Sequence, residues 1–233
     1  MRITSTLFVT AATITMAVPV FTHAAEGEWL VRGNAAYIAT DSSSEGIIGD
    51  TGLGLVEGVD GANVDNALGF AFTLSYAYTD NFAISLLASA PFDHDIDGTG
   101  ALEGVQLGDA LHLPPTLVLE YRFNPNGRVN PYLGAGVNYT WFLDADSTPA
   151  LTGALDGILG GVNSTDLKLD DSLGFAAVAG VDWYVGENWG FNGQLWWADI
   201  DTDATVQVNG AAVAEDINVS IDPLIPQLGV FFE

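Results

Sequence analysis

Large apolar residues recur at every second position through much of the chain. Leu68, Phe70, Phe72, Leu74, Tyr76 and Tyr78 alternate with Gly69, Ala71, Thr73, Ser75, Ala77 and Thr79. After only Thr79-Asp80-Asn81, the run Phe82, Ile84, Leu86, Ala88, Ala90 and Phe92 repeats the pattern. A period of two puts alternate side chains on opposite faces of a strand, so these two runs predict a tight hairpin. The same reading gives eight strands, at about 28–38, 68–78, 82–92, 114–123, 131–143, 171–185, 189–200 and 217–232. Each is near the ~9–11 residues that a tilted strand needs to cross a bilayer.

The connections alternate in length. Those after the second, fourth and sixth runs are short: 79–81, Asn124-Pro125-Asn126-Gly127 and Gly186-Glu187-Asn188. The others are long and rich in Gly, Asp, Asn and Ser. An even strand number with short turns on one side and long loops on the other predicts an all-β, eight-stranded antiparallel transmembrane β-barrel of the outer-membrane type. A soluble barrel or a β-sandwich alternates as well. Two details favour the membrane. The faces opposite the large apolar residues are small or polar, as in Gly134, Gly136, Asn138 and Thr140, or Gly174, Ala176, Gly180 and Asp182. Aromatic residues also gather at two levels: Trp29, Tyr76, Tyr121, Trp183 and Trp189 near the short turns, and Tyr37, Phe92, Trp141 and Trp197 near the long loops. Amphipathic rings form such girdles at membrane interfaces.

The first residues stand apart. Arg2 precedes an apolar run from Leu7 to Phe21, interrupted only by threonines, and Thr22-His23-Ala24 supplies small residues for cleavage. This predicts a secretory signal peptide over 1–24 and a barrel over 25–233, exported in a Gram-negative cell. The run is shorter than the roughly 20 residues of a spanning helix. Both termini are then expected in the periplasm and the long loops outside the cell.

Composition sharpens the picture. The chain has no cysteine, which removes disulfides and thiolate chemistry, and five basic against thirty acidic residues, which removes nucleic acid as a partner. The acid lies in the long loops. The first carries Asp41, Glu45, Asp50, Glu57, Asp60 and Asp65, and Lys168 is the one basic residue in the other three. A saline habitat would screen such repulsion.

The segments Leu113-Pro114-Pro115-Thr116-Leu117 and Asn130-Pro131-Tyr132-Leu133-Gly134-Ala135-Gly136-Val137-Asn138-Tyr139-Thr140 resemble the OmpW family of outer-membrane proteins. Pro91-Phe92-Asp93-His94-Asp95-Ile96, Asp171 to Ala176, Asn188-Trp189 through Asn192, Asp199-Ile200 and Ile221-Asp222-Pro223 add to the likeness, in order along the mature chain. The resemblance implies an eight-stranded barrel whose narrow, apolar-lined lumen passes small hydrophobic molecules. Its members usually end on an aromatic residue, whereas this chain ends Phe231-Phe232-Glu233.

Four groups of residues invite a functional reading. Asp93, Asp95, Asp97 and Gly98 open like a calcium loop, but the twelfth position is Gly104, Glu103 falls one early, and the flanks read as strands, so an acidic loop is the better account. His94 and His112 have no serine two positions on, so no base–nucleophile pair shares a strand face and no catalysis is expected. Strand parity puts Arg32, Glu120, Arg122 and Asp182 in the lumen, as a mutual plug or as a permeation filter. Pro91, Pro114 and Pro115 fall where the third and fourth strands meet a long loop, and a residue without an N–H either opens the ladder sideways or merely ends the strands there. The expected role is a narrow channel for small hydrophobic solutes, with outer-membrane lipid and the assembly machinery as partners and neither cofactor nor metal. The alternative is a non-conducting structural or adhesion barrel whose acidic loops bind partners or cations.

Overall fold

A computed structural model describes residues 26–44, 60–100 and 102–233. The expected signal peptide lies outside them, as do Glu45, Asp50 and Glu57 of the first long loop. The chain runs through β1 (Trp29–Ile38), β2 (Ser43–Ser44), β3 (Asp60–Val64), β4 (Ala67–Ala77) and β5 (Phe82–Ser89). It continues with β6 (Phe92–Gly100), β7 (Gln106–Leu113), β8 (Thr116–Arg122), β9 (Val129–Ser147) and the helix α1 (Pro149–Leu159). It ends with β10 (Thr165–Leu169), β11 (Ser172–Tyr184), β12 (Trp189–Ala198), β13 (Asp201–Val208), β14 (Ala211–Ser220) and β15 (Leu224–Phe232).

Eight of these strands close a barrel. β1 pairs with β4, then β5, β8, β9, β11, β12 and β15 follow in turn, and β15 returns to β1. Every pairing is antiparallel, and all but the closing β15–β1 pair join strands that are neighbours along the chain among the eight. Closure leaves no strand edge for lipid to meet. Parity sorts the side chains as the alternation requires. Leu68, Phe175 and Leu228 are 80%, 72% and 74% exposed, whereas Arg32, Thr73, Ser85, Asn138 and Asp182 on the other face are buried. Such an apolar outer band would be a liability in water and is stable against acyl chains. The hairpin turns close tightly, with Tyr78 N bonded to Phe82 O and Gly186 N to Trp189 O. Gly27 N bonds Ala77 O and Glu233 N bonds Asn188 O, so both ends of the described chain lie at the short-turn end.

At the opposite end the long connections are folded, which the strand count alone does not anticipate. β9 runs on past the barrel, and its upper part pairs with β7, which pairs with β6 and then β3. A second, four-stranded sheet has the order β10-β13-β14-β2. Thr148 caps α1 by accepting from Leu151 N, with Pro149 beginning the helix, and Leu151 and Leu155 face inward. Ala204, Val206 and Val208 on β13, and Ile217 and Val219 on β14, turn inward by the same period of two. Together these elements form a canopy over the barrel mouth, and its apolar core runs on into the upper lumen at Ala71, Val118, Val178 and Trp196.

Three expectations change. The strand read as 82–92 ends at Ser89, and beyond Pro91 the chain faces the other way: Phe82, Ile84 and Leu86 look outward while Phe92 is only 6% exposed. Phe92 is therefore a core residue and no part of the girdle; it rests on Gly69, where a Cβ would lie 2.2 Å from its ring. The strand read as 217–232 divides at Ile221–Pro223, with Asp222 at φ 36, so that β14 belongs to the canopy and β15 to the barrel. Finally, β9 spans Val129–Ser147, longer than a membrane crossing, because its upper half serves the canopy.

Candidate functional site

The lumen is closed by a charge cluster near mid-barrel. Arg32 projects inward from β1 between Glu120 of β8 and Asp182 of β11, all three fully buried. Its Nη1 and Nη2 donate to Glu120 Oε1 and Oε2, each at 3.2 Å, and its Nε and Nη2 donate to Asp182 Oδ1 and Oδ2 at 3.1 and 2.9 Å. Nη1 also reaches Ser75 Oγ at 2.9 Å, and the guanidinium lies 4.4 Å from the centroid of the Tyr132 ring. Two carboxylates gripped by one planar fork satisfy the demand that buried charge be paired and hydrogen-bonded. Tyr132 crosses over Gly180, where any Cβ would sit 2.4 Å from the ring. Its hydroxyl donates to Gln194 and accepts from Asn192, Gln194 donates to Gln227, and Asn192 donates to Asp182. The lumen at this level is filled by side chains, as expected for eight strands.

Of the four charges placed in the lumen from sequence, three meet and one stands apart. Arg122 is buried, yet none of its guanidinium nitrogens finds a hydrogen-bond partner among the described residues. Ser75, Tyr132, Asn192, Gln194 and Gln227 complete the network, and each shares the inward parity that marked the charged four. That signal was available for them too.

Above this seal lies an apolar cavity of about 60 Å³, walled by Ile38, Ile96, Leu107, Phe142, Leu167, Val206 and Ile217 among others. On the same measure a single water needs about 10–15 Å³, so the space suits a small solute. A second cavity of about 20 Å³ shares Ile38, His112, Ile200 and Pro223 with the first and continues down to Leu87, Pro114, Thr116 and Trp196.

That lower cavity touches both sides of a break in the barrel wall. β5 and β8 pair up to Leu87↔Thr116, and pairing resumes only at Phe92↔His112, between β6 and β7. Pro91 lies on one side of the interval, Pro114 and Pro115 on the other. The next strand holds that second side, since Tyr139 N donates to Pro115 O at 3.0 Å. The prolines thus stand at an interruption of the ladder whose inner side, at Leu87, Pro114 and Thr116, lines the lower cavity.

His94 and His112 meet, as the second long connection allows. Their rings stack with centroids 4.8 Å apart and 24° between planes, and both line the larger cavity. Burial lowers the pKa of His94, against the opposing pull of Asp65, Asp93 and Asp95, and burial together with His94 brings His112 down to about 3. Both rings are therefore neutral at pH 7. Asp93 and Asp95 lie on the outer face of an extended β6, which is no calcium-loop geometry. Among the described residues no group of three or more acids or histidines is placed to hold a metal ion. No described helix is long and apolar enough to cross a membrane, a criterion that does not bear on barrels.

A family model described as the OmpW family matches residues 25–233. The outer membrane protein W of Vibrio cholerae serotype O1 is 35% identical over 205 residues, which cover 87% of each chain. The dibenzothiophene metabolism operon protein PahQ of Pseudomonas aeruginosa is 27% identical over 223 residues, 94% of this chain and 96% of that one. The crystal structure of the outer membrane protein OprG from Pseudomonas aeruginosa superposes with a TM-score of 0.77 at 33% identity, covering 91% of this chain and 97% of the other.

Proposed function

Since this chain belongs to the OmpW family of outer-membrane barrels, we propose that it admits small hydrophobic molecules into its canopy cavity and releases them sideways into the outer membrane. The observation that carries this reading is the apolar cavity ending at a ladder break, directly above a lumen sealed by Arg32, Glu120 and Asp182. A solute that reaches the cavity finds a polar, filled barrel below it and an unpaired stretch of wall beside it. Leaving through the wall keeps apolar surface out of water throughout. The relative PahQ, named for a dibenzothiophene metabolism operon, fits an apolar cargo. The role is passage rather than catalysis, and the other partners are membrane lipid and the assembly machinery.

The test replaces Pro91, Pro114 and Pro115 with Val or Thr. Restored donors should close the ladder, so that cellular uptake of a hydrophobic probe falls severalfold while heat resistance on gels holds or rises. Unchanged uptake in a correctly inserted variant would overturn the lateral route and favour the non-conducting barrel, whose acidic canopy would then be the working surface. The orientation is tested separately. In this reading the canopy is extracellular and both termini are periplasmic. A protease site placed at Gly160–Asn163 should be cut in intact cells, and one at Asn124–Gly127 only after the outer membrane is breached. The opposite pattern would invert the orientation.

A further inference from the structure

The canopy cavity is not uniformly apolar. His94 Nδ1 lies 2.6 Å from the backbone carbonyl of Asp65. A carbonyl can only accept, so Nδ1 carries the proton and, in the neutral ring, Nε2 is a bare acceptor. That Nε2 is buried and has no hydrogen-bond partner. Of the other polar side chains in the wall, Thr40, Thr140 and Thr202 donate to Val64 O, Asn138 Oδ1 and Asp170 O, and Ser44 Oγ accepts from Ala62 N. Among the buried nitrogen and oxygen atoms of the described wall, His94 Nε2 alone is left without a partner. Around it the wall is aromatic, with His112 stacked on His94 and Phe142 against His112, ring centroids 5.8 Å apart.

We propose that this cavity selects small apolar molecules bearing one hydroxyl group, an alcohol or a phenol, whose O–H donates to His94 Nε2. The inference rests on the cavity being the solute's way through. A pure hydrocarbon leaves Nε2 unpaired, which forfeits the gain that a buried acceptor offers. A carboxylate has no proton to give and would set its charge against the nitrogen lone pair, close to Asp93 and Asp95 on the same strand. A hydroxyl on an apolar body meets both conditions, because the body fills the aromatic wall and the proton completes the buried acceptor at His94 Nε2. The lowered pKa of His94, caused first by burial, keeps Nε2 bare at neutral pH.

Phenol and toluene separate the two ideas, since they share a ring and a similar size and differ in the donor. The full barrel is placed in lipid nanodiscs with ¹⁵N-labelled histidine, and binding is corrected for partition of each probe into lipid. Phenol should bind about fivefold to tenfold more tightly than toluene and shift the His94 Nε2 resonance, which toluene leaves in place. His94→Phe keeps a ring and removes the acceptor, so the preference for phenol should vanish while toluene binding persists. Toluene binding without a phenol preference, or with an unmoved Nε2 resonance, overturns hydroxyl selection and leaves the cavity route standing. Binding of neither probe overturns both. If His94→Phe fails to insert, the resonance in the unsubstituted protein still decides.

Discussion

The barrel wall and the canopy are built from the same alternation turned inside out. In β5 the apolar residues Phe82, Ile84 and Leu86 face outward and Ser85 inward; in β6, across Pro91, Phe92, His94 and Ile96 face inward while Asp93 and Asp95 face out. The period is unchanged, and the surroundings set its sense, lipid around one and water around the other. The two regions also treat charge differently. Inside the barrel Arg32 stands between two carboxylates. On the canopy, Asp95 is directly opposite Asp109, and Asp109 directly opposite Asp146, with no Lys or Arg of the described residues in the row. A carboxylate stranded at the buried Arg32 site is costly, whereas water and salt make opposed charge tolerable on a surface.

The widest gap between the regions should follow from deleting one charge in each. Arg32→Met leaves Glu120 and Asp182 buried without a cation, Asp182 keeping only the Asn192 donor, and should cost about 3–5 kcal/mol of barrel stability. Urea unfolding in lipid vesicles, followed by tryptophan fluorescence, measures the loss. Removing the carboxylate charges as well, with Glu120→Gln and Asp182→Asn, should recover most of it, because the penalty is stranded charge rather than lost packing. An Arg32→Met barrel as stable as the parent would break the comparison, since the lumen would then tolerate what the canopy tolerates.

Acid should loosen the canopy and spare the barrel. Unfolded histidine titrates near 6.5, while folded His112 titrates at about 3, held down by burial and by His94. Between those values the unfolded chain binds more protons, so stability rises with pH. The contribution is complete above about pH 6.5 and is lost progressively toward pH 3. At pH 5 the loss from His112 is about 2 kcal/mol, and His94 adds in the same direction. Hydrogen exchange, corrected for the intrinsic effect of pH, should show the amides of β6 and β7 losing protection at pH 5 while those of β11 and β12 keep theirs.

Barrel and canopy also differ in how far the sequence reveals them. The eight crossings were legible because each is a long run of large apolar residues facing lipid, and lipid forces the alternation to be strict. The lumen triad followed from parity alone: Arg32, Glu120 and Asp182 are in phase with the small residues of their strands. Nothing in one strand states which charges will meet across the lumen, so Arg122 could not be told from the three that do. The canopy strands are shorter, and Gly, Asp and Asn interrupt them so often that they read as loops. Their signal was present in Ala204, Val206 and Val208 and in Ile217 and Val219, but five residues of alternation carry little weight without a known partner. The reversal at Pro91 was the hardest feature. Phe92 keeps the parity of Phe82, Ile84 and Leu86, and only pairing with His112 instead of β8 shows that its face has turned.

The smallest effect belongs to the aspartate row. Asp109 sits between two directly opposed carboxylates, and like charges across a strand pair are worth about 0.2–1 kcal/mol each. Burial, and then Asp93, Asp146, Asp95 and Asp144, raise its pKa. A raised carboxylate pKa costs stability as pH rises through the titration, so Asp109 favours the canopy in acid, opposite to the histidines. Asp109→Asn should therefore do two things. At low salt and pH 7 it should increase amide protection along β7 by about twofold to fivefold, a gain that disappears near 1 M salt, where the screening length falls to about 3 Å. It should also steepen the loss of protection on acidification, because the group that partly offset the histidines is gone. Equal protection at all salt concentrations would mean that the row is already neutralised, by bound cations or by protons. The canopy would then compensate its charge as the Arg32 triad does.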